Sequence, residues 1–240
     1  MRRLAAVSIL LALSAACSKA PVAPVPTPKA FGTALVSVSG DKQAAGVGAA
    51  LDQPLVVQVN DAKGSPVAGA LVRFTGPGGV VMQPDQGLTG PDGQFTTNVT
   101  LGGMSGRYQV AATTVNSAGK RVEIRVDEIA LGYQAMLGEQ INQIHCIRCH
   151  DSESTPERVS NHDNLEAPPH GFTEGAILNS ISDANLVAII AHGGVALHKS
   201  AAMPPYGDTL TKTEIDALVA YLRAVSDPAY RFQGVFYAGN

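Results

Sequence analysis

The chain has 240 residues, 45% of them apolar and 15% charged. It can bury a core and is too hydrophobic for a disordered tail. The net charge of −3, with no basic stripe, argues against nucleic acid as a partner. Gly (25) and Pro (15) are abundant and Trp is absent, a texture that favours short strands and turns over long helices.

Arg2 and Arg3 open the chain with positive charge, and an apolar stretch from Leu4 to Leu13 follows. That stretch is too short to span a bilayer as a mature helix. Ser14, Ala15 and Ala16 lead into Cys17. The segment resembles the lipobox of bacterial lipoproteins, although Ser14 stands where that family usually carries Leu. The resemblance implies that residues 1–16 are removed as a signal peptide and that Cys17 becomes the lipidated first residue. An ordinary secretory signal is the alternative, and either one exports the protein. A triacylated cysteine carries more than the two signals that stable membrane attachment needs. Ser18 is not an inner-membrane retention aspartate, which favours the outer membrane within a bacterial cell envelope. Residues 17–30 alternate Pro with small residues, cannot pack, and read as a semi-rigid polyproline tether.

Residues 31–127 change texture. LVVQVND, ALVRFTG, QFTTNVTL, RYQVAATTV and RVEIRV are short β-branched runs separated by Gly, Pro, Asn and Asp turns. About seven short strands at this spacing suggest an Ig-like β-sandwich, here without any internal cysteine. Asp61, Asp85 and Asp92 read as turn residues, with a calcium site as the rarer possibility. The runs VVQVNDAKGSPVAGALVRFTGPGG and LTGPDGQFTTNVTLGGMSGRYQVAATT resemble bacterial Ig-like domains of the invasin and intimin type. That resemblance implies a stalk or display module with no chemistry of its own.

The chemistry lies in IHCIRCH, residues 144–150. Three readings compete. A Cys146–Cys149 redox dithiol normally follows a strand in a βαβ unit, and none is visible. Zinc could draw on Cys146, Cys149, His150 or His145 and a remote His, but the adjacent Cys149 and His150 point in different directions on a helix and seldom ligate one tetrahedral metal. Haem attachment fits best: C-x-x-C-H is the c-type signature, with Cys146 and Cys149 forming thioethers to the vinyl groups and His150 reaching the iron.

A helix is expected over GYQAMLGEQINQIHC, with Met136, Leu137, Ile141 and Ile144 on its inner side. A second is expected over SDANLVAIIAHGG, capped by Ser182 and Gly193, with Leu186, Ile189 and Ile190 facing inward. A third begins at the Thr211–Glu214 capping box and buries Ile215, Leu218, Val219 and Leu222 before Pro228 stops it. Met203 sits in a loop that Pro204 and Pro205 stiffen, and is the candidate sixth ligand. His145, His162, His170, His192 and His198 are its rivals, His192 and His198 foremost because they lie near it in sequence. Met82, Met104 and Met136 read as packing residues. Tyr206 either packs on the haem edge or closes the Met203 loop.

Cys146, Cys149, His150, Gly138 eight residues before the first cysteine, Pro168 and Pro169, and MPPYGDTLTKTEIDALVAYLRAV together resemble a class I cytochrome c domain, spanning residues 128–240. The resemblance implies one covalent haem c, axial ligands His150 and Met203, and electron transfer. It also implies that a proline carbonyl near Pro168, of Pro168 or Pro169, accepts a hydrogen bond from the His150 ring. Asn142 stands where the family usually has an aromatic residue, which questions the contact between first and last helices. The polar run SESTPERVSNHDN has no reading. The expectation is thus multidomain: an all-β Ig-like sandwich followed by an all-α cytochrome c domain. As a whole the chain reads as an exported, membrane-anchored electron carrier serving unidentified redox proteins. A haem enzyme or small-ligand sensor with a labile sixth ligand, and a structural surface lipoprotein, are the alternatives.

Overall fold

The computed structural model describes residues 25–156 and 158–231. The signal peptide at residues 1–16, the lipidation site Cys17 and most of the tether lie outside the described residues.

The first half is a two-sheet sandwich. One sheet has the order β1 (Ala34–Ser39), β3 (Leu55–Asn60), β7 (Gln94–Thr100), β5 (Val81–Gln83). The other has the order β2 (Ala44–Gly46), β9 (Arg121–Leu131), β8 (Gly106–Val115), β4 (Leu71–Thr75), β6 (Gln86–Leu88). The five runs read as strands become β3, β4, β7, β8 and β9. The further pieces β2, β5 and β6 are only three residues long, too short to leave an alternating pattern in the sequence. Strand alternation turns Leu55, Val57 and Val59 of β3 inward against Val72, Phe74, Val110, Ala112 and Val126 of the facing sheet. Asp61 and Asp92 act as turn residues: Asp61 Oδ1 accepts from the amides of Lys63 and Ser65, and Asp92 Oδ1 from that of Gln94.

β9 passes through the expected boundary at residues 127 and 128 and ends at Leu131. The reason is pairing: β2 adds to it in parallel, matching Ala44 with Ile129 and Gly46 with Leu131. One residue later the helical half begins with α1 (Tyr133–His145), followed by α2 (Ile147–His150), α3 (Gly175–Leu178), α4 (Asp183–His192) and α5 (Lys212–Val225). Ser182 accepts from the amide of Asn185, and Thr211 and Glu214 close the capping box.

α1 crosses α5 at Gly138, where an added Cβ would lie 2.1 Å from the carbonyl oxygen of Ala217. Only glycine permits that approach. The buried stripe of α1 is therefore Ala135, Gly138, Ile141 and Asn142. Ile144, expected on the inner side, is 74% exposed; the face that packs is chosen by closeness to α5, and Ile144 lies on another. Asn142 replaces an aromatic residue without parting the helices.

The two halves pack directly. Ile129 and Leu131 of β9 share a buried cluster with Ala135 of α1 and Val225 of α5, and Met136, Phe172 and Tyr221 pack against it. Lys42 Nζ pairs with Asp227 Oδ2 at 2.9 Å. The guanidinium of Arg107 donates to the carbonyls of Ala224 and Ser226 at the end of α5.

Candidate haem-binding site

The signature begins where α1 ends. Cys146 caps α1 and opens α2. The amides of Cys149 and His150 both donate to the Cys146 carbonyl at 3.0 Å, so the two thiols sit about one turn apart. Both cysteines are half-buried and unbonded to each other. Burial pushes the Cys146 thiol up to about 12, with Cys149 adding to it. A redox dithiol works through the thiolate, which a raised pKa suppresses.

Burial holds the His150 ring below its usual pKa, so it is neutral at pH 7. Its Nδ1 lies 2.8 Å from the carbonyl oxygen of His170. A carbonyl only accepts, so Nδ1 carries the proton and Nε2 keeps its lone pair, the form a metal ligand needs. This corrects the expected acceptor: it is His170, not Pro168 or Pro169. The Pro169 carbonyl faces Nε2 of His162 instead, at 3.1 Å. The ring of Phe172 lies against that of His150, centroids 4.7 Å apart.

Met203 is presented by a loop folded back on α4. Gly193 turns the chain at φ 80°. The amide of Gly194 donates to the Met203 carbonyl at 3.1 Å, and those of Tyr206 and Gly207 to Ile190 and Ala191. At Gly194 a Cβ would lie 2.1 Å from the Ser200 carbonyl oxygen. The sequence pointed to Gly193 as a cap and missed Gly194 as the residue that lets the loop close. The Tyr206 hydroxyl donates to the His145 carbonyl at 2.9 Å, tying the Met203 loop to the signature.

Cys146, Cys149, His150 and Met203 line one cavity of about 310 Å³, with Pro168, Pro169 and Tyr206 also in its wall. The remainder is mostly aliphatic, from Leu178, Leu186, Ile189, Ile190, Leu218 and Leu222. His192 and His198 are exposed and outside that lining; His145 and His170 are within it. An apolar cavity with two thiols, a neutral imidazole and a thioether in its wall suits a large flat apolar group with a metal at its centre. The residues fit a haem attached through the two cysteines.

The unread polar run is a loop tied by Asp151. Its Oδ1 accepts from the Glu153 amide, its Oδ2 pairs with Arg158 at 2.9 Å, and its carbonyl accepts from Ser160 Oγ. The signal was an Asx turn, too common in loops to single out from sequence.

Residues 134–222 match the family described as cytochrome C oxidase, cbb3-type, subunit III. No curated protein matches the chain. Among solved structures, the D00-D0 domain of intimin is similar at 19% identity and TM-score 0.32, over 44% of this chain and 50% of that one. The D0-D1 domain of intimin is similar at 22% identity and TM-score 0.31, over 42% and 48%. Invasin, a bacterial integrin-binding protein, is similar at 22% identity and TM-score 0.31, over 41% and 19%. The chain thus spans about half the length of the two intimin structures. Residues 134–222 thus resemble a c-type cytochrome domain, which implies covalently bound haem c, and they follow a two-sheet β-sandwich.

Proposed function

We propose that this chain is an exported, lipid-anchored monohaem cytochrome that passes single electrons to protein partners. The observation that carries the reading is the gathering of Cys146, Cys149, His150 and Met203 in the wall of one apolar cavity. Haem iron supplies a reversible one-electron couple when bound. Cys146 and Cys149 would hold the macrocycle, and His150 and Met203 would be the side chains that bind its iron. Imidazole with thioether favours the ferrous state and raises the potential. With both His150 and Met203 bound to it, the iron would offer no position to dioxygen or peroxide, which would separate a carrier from an enzyme or a sensor. The His170 carbonyl holds the imidazole's proton and its orientation. The aliphatic wall would keep the surroundings of the iron apolar.

The sandwich serves as a spacer. Lys29 and Ala30 enter it at the carbonyl of Gly69, just before β4, at the end where β8 turns into β9. The helical half leaves it at Leu131, the other end of β9. Ten residues of rise along β9 set these ends about 33 Å apart. A chain anchored through Cys17 would have its haem half at the opposite end of the sandwich from the tether.

Met203→Ala tests the ligand assignment. The expected outcome is a sixth position open to carbon monoxide and a lowered reduction potential. An unchanged spectrum and potential would remove Met203 from the site and favour the sensor or enzyme reading.

A further inference from the structure

The segment carrying the carbonyl that orients His150 is tied within the helical half, where Glu174 pairs with His170 and accepts from the Gly171 amide and Phe172 packs on the helical core, and it also reaches the sandwich. Residues 170–174 leave the cavity wall through a tight turn, closed by the Glu174 amide on the Gly171 carbonyl at 3.0 Å, before the single turn of α3 begins at Gly175. They are held by a short pairing with the chain beyond α5. The Asp227 amide donates to the Thr173 carbonyl at 2.8 Å, and the Gly175 amide to the Asp227 carbonyl at 3.0 Å. The fit is close: a Cβ at Gly175 would lie 2.3 Å from the Pro228 carbonyl oxygen.

Both sides of this pairing are gripped by the sandwich. Lys42, in the link between β1 and β2, pairs with the Asp227 carboxylate. Arg107 of β8 holds the carbonyls of Ala224 and Ser226 just before it. Phe172 packs on the cluster formed by Ile129, Leu131, Ala135 and Val225, and its ring also lies against His150. A continuous run of contacts therefore joins β9 to Phe172 and then to the imidazole. A second joins Lys42 to Asp227, then to Thr173 and Gly175. Packed side chains and backbone pairs of this kind transmit small displacements because they resist compression.

We propose that the Ig-like domain is a positioning element of the haem site, with Ile129, Lys42 and Arg107 setting the orientation of His150 through Phe172 and residues 170–175. The inference rests on the haem reading above and adds that the sandwich tunes the iron as well as spacing it. None of the three residues touches the cavity. Ile129 acts through packing, and Lys42 and Arg107 act through the backbone bridge at Asp227.

The test uses the full-length holoprotein, with hydrogen exchange at the Gly175 and Asp227 amides, the reduction potential and the haem spectrum as readouts. Ile129→Ala changes packing without changing charge. It is expected to speed exchange at both amides by about tenfold and to shift both potential and spectrum. Lys42→Gln is expected to speed exchange at those amides about twofold and to shift the potential in the same sense, with Lys42→Arg restoring it. Lys63→Gln, in the β3–β4 turn at the far end of the sandwich, removes an equal charge and is expected to leave all three readouts at wild-type values. If Ile129→Ala does not fold, the Lys42 set decides alone. Faster exchange with an unchanged potential and spectrum would overturn the proposal, as would an equal shift from Lys63→Gln. A chain that carries no haem would instead defeat the proposed function, while the exchange data would still report whether the sandwich grips residues 170–175.

Discussion

The two halves of the molecule bury their cores in different ways. The sandwich fills its interior with its own side chains: Leu55, Val57, Val59, Val72, Val110 and Ala112 are all at 0% exposure. The helical half arranges Leu178, Leu186, Leu218 and Leu222 around a cavity. Cavities of this size cost stability when nothing fills them. The sandwich is therefore a structure its sequence can complete, whereas the helical half is a structure its sequence completes together with a cofactor. The chemistry resides where the core is left open, and the closed core supplies the platform.

The largest expected effect removes the cofactor. In Cys146→Ala/Cys149→Ala, haem has no covalent hold, and the helical half is expected to lose its cooperative transition while the sandwich keeps its own. Thermal unfolding followed by far-ultraviolet circular dichroism, which separates helix from sheet, checks this. Two intact transitions in the double variant would erase the contrast between the halves.

Next comes the α1–α5 crossing. Gly138→Ala forces a methyl group against the Ala217 carbonyl and the Tyr221 Cβ, and is expected to cost about 3 kcal/mol. Urea unfolding followed both by haem absorbance and by far-ultraviolet circular dichroism would show it. A cost confined to the helical transition places the crossing wholly within that half; a matching loss in the sandwich transition would mean the two halves unfold together.

The smallest effect lies in the sandwich. Glu128 of β9 is fully buried beside Asp41 and Asp127, and its Oε2 accepts from the Gln43 amide. Burial raises its carboxyl from 4.5 to about 8. The folded chain thus holds a proton that the unfolded chain releases between those values. The resulting stability is fully present below about pH 4.5 and is lost as pH rises through about 8. Glu128→Gln should flatten that slope, visible as a melting temperature that no longer falls between pH 5 and 9. An unaltered slope would assign it to other groups.

Legibility in the sequence follows the same division. The β-branched runs of β3, β4, β7, β8 and β9 announced themselves by alternation, whereas β2, β5 and β6 are too short to alternate. Cys146, Cys149, His150 and Met203 stood out because their chemistry restricts which residues can serve. The carbonyl facing His150 did not, because every residue has one and only the fold selects His170. The outward turn of Ile144 escaped for a similar reason: periodicity identifies an apolar face, while the close approach at Gly138 decides which face is buried. Nothing in the periodicity of β9 told that it reaches Leu131, since the parallel partner that extends it lies some 85 residues earlier. The grip of Lys42 on Asp227, across 185 residues, had no local signal at all.

The most direct test of the central claim is whether haem stays with the polypeptide when the protein is denatured. The protein would be produced in an exporting, haem-attaching bacterium, unfolded in detergent, and separated by size with detection at the haem absorption band. The account expects one haem per chain migrating with the protein, and none in the Cys146→Ala/Cys149→Ala variant. Haem released from the wild-type chain, or zinc recovered in its place, would contradict it.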